Sequence, residues 1–516
     1  MDNKKTVLLS VSDKTGIVEF AHGLAELGYD ILSSGGTAQT LRQAELRIRE
    51  IPELTGYPDI LNGRLRLLHP RVFGSVMADP EDKDHARDLE KEGIPPVSIM
   101  AVNLYPLSQI LQAGNLSREE MLDFLDVAGS ALLRAAARNF LRVVTLCDPK
   151  DYPSVLEMLR ARGGVPVEQS QSLAAKAFYY ISYYDSTIAQ YLSAAMEKLP
   201  EELIIGLKKS LDLPYGENPH QHAALYTLSG ARPWGINAAT LLCGRPLSFN
   251  HYLSMDKAAD LVSEFQEPSC AIVKHANPAG VAVSDRAGEA VRMAYRSDPM
   301  GCTGGVAAFN RPVDEDAARA LAPEYLECIA APEFSPGALD ILRVKKDVRL
   351  VLLPSLLLSP NEIDIKTVSG GVLIQDKDND TSPTGPKVVT RRSPTELESA
   401  ALNFAWRVSK HTMTHAAVLA RGTVTLGIGG GQTTRMDAVR LALVKSQERH
   451  PIVAPALPVV MASDGPLSPL HIKEAAQTGV VAVAQPGGSS EDRECIRLCD
   501  DMGLTMVFMG MRHYRH

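Results

Sequence analysis

Short apolar runs alternate with helix-spaced segments through the first 150 residues of the chain. Val7–Ser10, Asp30–Ser33, Val97–Val102 and Val143–Leu146 each read as strands. Between the first two, Thr15 can cap a helix that runs to Leu27 and stops at Gly28. Such alternation predicts a parallel sheet with helices on both faces, an α/β domain. Ser172–Ala195 is apolar at helical spacing and reads as a bridge out of this domain. The boundary is expected near 200, where Lys208-Lys209 leads into Pro214. Beyond it the pattern is mixed α and β. Ala271–Val273 reads as a buried strand, with Asn277-Pro278 and Gly280 as the turn that ends it. Lys410-His411 before Ala416–Ala420 echoes Lys274-His275 before Val281–Val283, a hint of internal duplication. Asp376–Pro386, rich in Asp, Asn, Thr and Pro, reads as a surface loop.

Length and charge narrow this picture. A chain of 516 residues exceeds one core and suggests about three domains. A net charge of -8 argues against a general nucleic-acid or membrane-surface binder. Seven scattered cysteines form no Cys-x-x-Cys pair, and no histidine recurs at zinc spacing, so reduced structural thiols in a cytoplasmic protein are expected. The first residues lack a signal-peptide core, and the greasiest run, Leu350–Leu358, is too short to span a bilayer and is broken by Pro354.

Candidate chemistry falls at the ends of the predicted strands. Lys274 and His275 follow the Ala271–Val273 run, at the edge where parallel sheets place ligands. An ammonium beside an imidazole disfavours the charged histidine, leaving a neutral base for a weakly nucleophilic amine. A solvated strand end accounts for the same dipeptide. In the first domain, Ser10 and Ser12 precede Lys14-Thr15-Gly16, and Ser34-Gly35-Gly36-Thr37 opens a second helix. Glycines admit an anion to the backbone, helix amides point at it, and Lys14 adds charge. Arg64 and Arg66, alternating along an extended segment, are expected to point the same way and close a sugar-phosphate site. Plain turn and cap chemistry is the alternative for each loop. Gly430-Gly431-Gln432, followed by Arg435, either holds substrate through backbone amides or is a plain glycine-rich turn.

Several motifs occur together, in order and spacing: Ser10-Val-Ser-Asp-Lys-Thr-Gly16, Asn103-Leu-Tyr-Pro106, Tyr215-Gly-Glu-Asn-Pro-His-Gln221, Cys270 through Val283, Gly427 through Gln432 and Arg512 through His516. On these the chain resembles, almost end to end, the bifunctional AICAR transformylase/IMP cyclohydrolase family of purine biosynthesis. The resemblance implies a methylglyoxal-synthase-like cyclohydrolase domain with its bridging helix over 1–200. Two cytidine-deaminase-like transformylase subdomains then occupy 201–375 and 376–516. It implies formyl transfer from 10-formyltetrahydrofolate, as co-substrate, to AICAR, then dehydrative closure of formyl-AICAR to IMP. No metal is implied for catalysis. A homodimer is implied.

By the same resemblance, His275 is the transferase base and Lys274 its partner. Tyr215, Gly216, His220, Asn250, Gly305, His415, Gln432 and Arg435 fall at substrate positions. In the first domain Ser10, Ser12, Lys14, Ser34, Gly36, Thr37 and Arg64 fall on nucleotide and phosphate positions. Tyr105 and Asp126 fall on the catalytic tyrosine and aspartate, with a core tyrosine and a salt-bridged helix start as their structural alternatives. The sequence also departs from the family. Two lysines are replaced by Arg66 and Arg138, a threonine by Leu67 and a glycine by Ala128; Pro214 stands where an arginine is usual. Arginine keeps charge but surrenders no proton at neutral pH, so a clamp or oxyanion donor survives these exchanges. Thr303 replaces a phenylalanine, His415 an asparagine, and Asp464–Leu470 an aromatic stretch, which implies a reshaped folate pocket. Retention of one activity only, or a catalytically silent nucleotide-binding homologue, are the alternatives; lyase chemistry on the first domain alone is a remote one.

Overall fold

The computed structural model describes residues 5–114, 116–193, 199–229, 234–354, 363–380, 385–448 and 457–516. The chain forms two compact units, one of Met1–Lys208 with Tyr226–Arg232, the other of Lys209–Leu225 with Pro233–His516.

The first unit is built on five parallel strands, β1 (Thr6–Val11), β2 (Asp30–Ser33), β3 (Arg49–Glu50), β4 (Val97–Asn103) and β5 (Val144–Leu146), in the order β3-β2-β1-β4-β5. Val7, Leu8 and Leu9 of β1 are fully buried, because helices cover both faces. Four helices matter below: α1 (Ile17–Glu26), α2 (Gly35–Gln43), α3 (Val127–Arg138) and α4 (Val167–Ser193). Thr15 does not cap α1; Gly16 holds the cap at φ 67°, and the Thr15 hydroxyl donates to Asp13 at 2.7 Å. Of the expected bridge Ser172–Ala195, residues 194 and 195 lie outside the described residues.

The second unit contains one twelve-stranded sheet that repeats itself. Its first half holds β6 (Thr240–Cys243), α5 (Phe249–Ser263), β7 (Ser269–Lys274), β8 (Asn277–Val283), β9 (Gly305–Phe309), β10 (Leu326–Ala331) and β11 (Arg349–Leu352). The second holds β12 (Lys387–Val388), α6 (Glu396–Lys410), β13 (Ala417–Arg421), β14 (Val424–Gly429), α7 (Arg435–Glu448), β15 (Val459–Ser463), β16 (Val480–Gln485) and β17 (Thr505–Phe508). From the centre outward, the strands run β8-β7-β9-β10-β11-β6 on one side and β14-β13-β15-β16-β17-β12 on the other. Each half has an antiparallel hairpin, an antiparallel third strand, two parallel strands and an antiparallel edge. The halves meet antiparallel at Ala282 and Val424.

Duplication is therefore real, but not through the residues that hinted at it. Lys410-His411 ends a helix, α6, with His411 as its C-cap. Its counterpart is the end of α5, where Glu264 is the C-cap. Lys274-His275 instead stands at a hairpin, matched by Arg421-Gly422. β7 is antiparallel to both neighbours, so it is not the parallel strand the sequence suggested. Asn277-Pro278 is not a turn but the start of β8, and Gly280 is there for packing: a Cβ on it would fall 2.0 Å from the Ala294 carbonyl. Of the loop 376–386, Asp376 ends a strand and 381–384 lie outside the described residues.

Candidate active sites

In the first unit, chain order reverses at β1, where an open parallel sheet leaves a crevice beyond its carboxyl ends. Ser10 and Ser34 meet there, their hydroxyls 2.9 Å apart. Thr37, buried in the first turn of α2, accepts from the Val11 amide at 2.9 Å and donates to its carbonyl at 3.0 Å, stapling helix to strand. Asn103 ends β4 and holds the β1–α1 loop: its side-chain oxygen accepts from the amides of Ser12 and Asp13 at 2.7 and 2.8 Å.

Two cations converge on the start of α2. A Cβ added to Gly36 would stand 3.6 Å from the Lys14 ammonium, and one added to Gly35 would strike the Arg66 guanidinium. Gly35 has φ 51°. Positive charge at the positive end of a helix dipole is unfavourable until an anion sits between them. Arg66 is otherwise paired with Asp59, 2.6 Å away. The expectation that Arg64 and Arg66 share a direction fails. Residues 64–67, after the 3-10 turn Leu61–Gly63, form a turn rather than extended chain, and Arg64 pairs with Asp123 while Arg66 pairs with Asp59.

Tyr105 is 45% exposed, so it is not a core residue, and its ring meets Phe124 edge-on at 5.9 Å. Asp126 caps α3, its carboxylate accepting from the Gly129 amide at 2.7 Å. Burial pushes its pKa up against the pull of the Gly129 and Ala128 amides. A Cβ on Gly129 would lie 2.5 Å from the Asp126 carboxylate and 2.8 Å from Leu104, whereas position 128 already carries a methyl. One glycine of that turn is thus needed and the other is not. Arg138 is exposed in the last turn of α3, about 18 Å along the axis from Asp126 at 1.5 Å per residue. Its own chain does not bring it to this edge.

In the second unit, β7 and β8 are joined by a two-residue turn, His275-Ala276, closed by Lys274 opposite Asn277. Both turn residues have positive φ, 52° and 59°. That is the backbone of a type I′ hairpin, usually filled by Asn-Gly. His275 is exposed, and the Lys274 ammonium donates to the Thr303 carbonyl at 2.7 Å. Asn277, one residue past the turn, accepts from the Met413 amide at 3.0 Å. Gly430 and Gly431 lie against the same Asn277 amide group, so the hairpin, the 412–416 loop and the β14–α7 loop form one cluster.

Within this cluster His415 takes a hydrogen bond on Nδ1 from Arg435 at 2.7 Å, and burial with the Arg435 charge holds its pKa low. Arg435 also donates to Ser463 at 2.7 Å and pairs with the buried Asp464. The Gly431 amide donates to the Met413 carbonyl at 2.6 Å, so it serves the loop and is not open to substrate. The Gln432 side chain donates to the Gly430 carbonyl at 3.1 Å. Gly305 opens β9, where a Cβ would lie 2.9 Å from the Cys302 carbonyl. The Thr303 hydroxyl is 2.9 Å from that of Tyr295.

Tyr215, Gly216, His220 and Asn250 belong elsewhere. Gly216 pairs with Gln221, Asn250 donates to the Glu217 carbonyl at 3.2 Å, and Gly216, Glu217 and Phe249 line an open cleft of about 350 Å³. A second cleft of about 300 Å³ is lined by Asp260, Lys377, Lys410, His411 and Arg515. His275 lines neither. Asn103, Asn277 and Asp464 were passed over by sequence reasoning. Asn103 lay in the Asn-Leu-Tyr-Pro motif and Asn277 in the Cys270–Val283 motif.

Two α/β units, each with its own gathering of polar and charged side chains, give the chain two candidate active sites. Residues 136–445 match the family described as AICARFT/IMPCHase bienzyme, and residues 16–129 an MGS-like domain. Bifunctional purine biosynthesis protein PurH of Persephonella marina is 40% identical over 520 residues, covering 99% of this chain and 100% of that one. Its counterpart in Anoxybacillus flavithermus is 40% identical over 517 residues with the same coverage, and that of Desulfitobacterium hafniense is 41% identical over 531 residues, covering all of both. A solved structure, "Crystal structure of ForH", is 36% identical and covers 37% of this chain and 98% of that one at a TM-score of 0.33, too low to add to the fold. The chain belongs to the AICARFT/IMPCHase bienzyme family, with an MGS-like domain at its start: it is a formyltransferase and IMP cyclohydrolase of purine biosynthesis.

Proposed function

We propose that the second unit moves a formyl group from 10-formyltetrahydrofolate to the 5-amino group of AICAR, and that the first unit closes formyl-AICAR to IMP. His275 takes the proton as the amine attacks the formyl carbon; tetrahydrofolate leaves from the tetrahedral intermediate. Lys274, held by Thr303, supplies positive charge beside that intermediate. Arg435, His415 and Gln432 bind on one side, and Tyr215, Gly216, His220 and Asn250 bind where a second copy of the chain completes the site. The homodimer follows from that reading, and a cytoplasmic location from the reduced thiols expected of the scattered cysteines. The division into 1–200, 201–375 and 376–516 belongs to the same proposal, as does catalysis without a metal.

For ring closure, Lys14, Arg66 and the start of α2 hold the phosphate, with Ser10, Ser12, Ser34, Gly36 and Thr37 shaping the pocket; Arg64 joins them only by leaving Asp123. Asp126 accepts the carboxamide proton as its nitrogen attacks the formyl carbon, and Tyr105 donates to the oxygen that leaves as water. Arg138 stands apart from this group. The observation that carries the transferase reading is the exposed imidazole of His275 in a turn whose backbone disfavours it. Purified protein is given AICAR with 10-formyltetrahydrofolate, and separately formyl-AICAR, and IMP is followed. IMP from both is expected; IMP only from formyl-AICAR would remove the transferase assignment.

A further inference from the structure

The loops that carry Tyr105 and Asp126 are both fastened by α4. The Tyr180 hydroxyl accepts from the Leu104 amide at 2.9 Å, next to Tyr105. The Tyr184 hydroxyl accepts from the Asp126 amide at 2.8 Å and donates to the Phe124 carbonyl at 3.0 Å. One turn before Tyr180, Lys176 binds Asp148 and Asp151, each at 2.8 Å. A spacing of four residues puts Lys176, Tyr180 and Tyr184 on one helix face. That face meets three loops in turn: the one after β5, the one after β4, and the one before α3.

We propose that α4 is the positioning element of the ring-closing site, with Tyr184 setting the place of Asp126 and Tyr180 that of Tyr105; this rests on the roles proposed above for those two residues. Neither tyrosine is a proton carrier. Burial pushes both hydroxyls up to about 12, so they stay protonated at any working pH. Their work is geometric. Asp126 is held at its amide by Tyr184 and at its carboxylate by Gly129, and Phe124, held by the same hydroxyl, packs against Tyr105. Loss of the hydroxyl frees both loop attachments at once. A small displacement of a reacting group is enough to slow a reaction strongly.

The test compares Tyr184→Phe, Asp126→Asn and the double variant, reading kcat and KM for formyl-AICAR and the formyl-transfer rate on each sample. Asparagine still caps α3, so Asp126→Asn keeps the helix start. Tyr184→Phe is expected to lower ring-closure kcat about tenfold, the scale of one well-placed hydrogen bond, with KM little changed and formyl transfer intact. In the Asp126→Asn background the same change should add almost nothing, because Tyr184 acts through Asp126. A full tenfold further loss in the double variant overturns the proposal, as does an equal fall in both activities. If Asp126→Asn is crippled and Tyr184→Phe is not, the positioning role alone falls. If Asp126→Asn closes the ring at full rate, the role of Asp126 falls first and this proposal with it.

Discussion

The two hairpins at the centre of the second unit make the same connection with different residues. In the second half the turn is Gly422-Thr423, with glycine at φ 58°. That is what a tight hairpin calls for, because glycine bears no penalty for a left-handed backbone. In the first half the turn is His275-Ala276, and both residues take left-handed values, 52° and 59°. Each L-residue so placed costs roughly 1–2 kcal/mol. Two copies of one element thus differ in that only one holds strain, and the strained copy carries the exposed imidazole. Strain confined to one copy of a repeat is a pointer to function that neither copy would give alone.

The helix C-caps show the complementary case. Glu264 and His411 occupy matching positions on α5 and α6, and the imidazole Nε2 lies 2.8 Å from the carboxylate across the seam. Arg515 donates to His411 Nδ1 at 3.1 Å, which requires that nitrogen to be bare and places the ring proton on Nε2, facing Glu264. Lys410 adds an ammonium at 2.8 Å from the same carboxylate oxygen. This pair differs for stability, whereas the hairpins differ for chemistry.

The largest expected change to that contrast comes from Glu264→Ala. It leaves Lys410, whose side chain is 4% exposed, as a buried unpaired charge, and about 3–5 kcal/mol of stability should be lost in denaturant titration. A loss under 1 kcal/mol would show that the seam does not depend on the cap pair.

Acid should act on the same place. Burial raises the Glu264 carboxyl, but His411 and Lys410 outweigh it and leave its pKa below the ordinary 4.5. Burial lowers His411 from 6.5, against the pull of Glu264 and with the help of Arg515. Both folded-state values are depressed, so both contributions are present above the unfolded values and fade as pH falls. The histidine contribution should begin to fade first, below 6.5. Stability measured from pH 7 down to 5 should therefore slope less in His411→Gln than in the parent, and identical slopes would exclude the histidine.

Smallest is the direct exchange of turn residues. Ala276→Gly should stabilise the second unit by about 1 kcal/mol, and Gly422→Ala should destabilise it by a similar amount. Equal effects of one sign would mean that the turns do not differ in strain.

Much of the first unit was legible in the sequence. Apolar runs located β1, β2, β4 and β5, since strands buried on both faces have nowhere to place polar residues. Ser10, Ser34, Lys14 and Gly36 were legible as turn chemistry and do gather at one edge. The direction of Arg64 was not, because Asp123, which it meets, is far away in the chain. In the second unit the sequence placed the turn at Asn277-Pro278, two residues late, since His275-Ala276 lacks the Asn-Gly signature of a tight hairpin. Tyr180 and Tyr184 lie within the segment Ser172–Ala195, which was legible only as apolar at helical spacing. Only their hydroxyl partners separate them from core residues.

His275→Gly decides whether the imidazole is the transferase base, because glycine accepts the turn's backbone while removing the ring. The measurement is the ratio of formyl-transfer rate to ring-closure rate on one preparation. A fall in that ratio of at least about a hundredfold is expected, with ring closure unchanged. A ratio equal to that of the parent protein would contradict it.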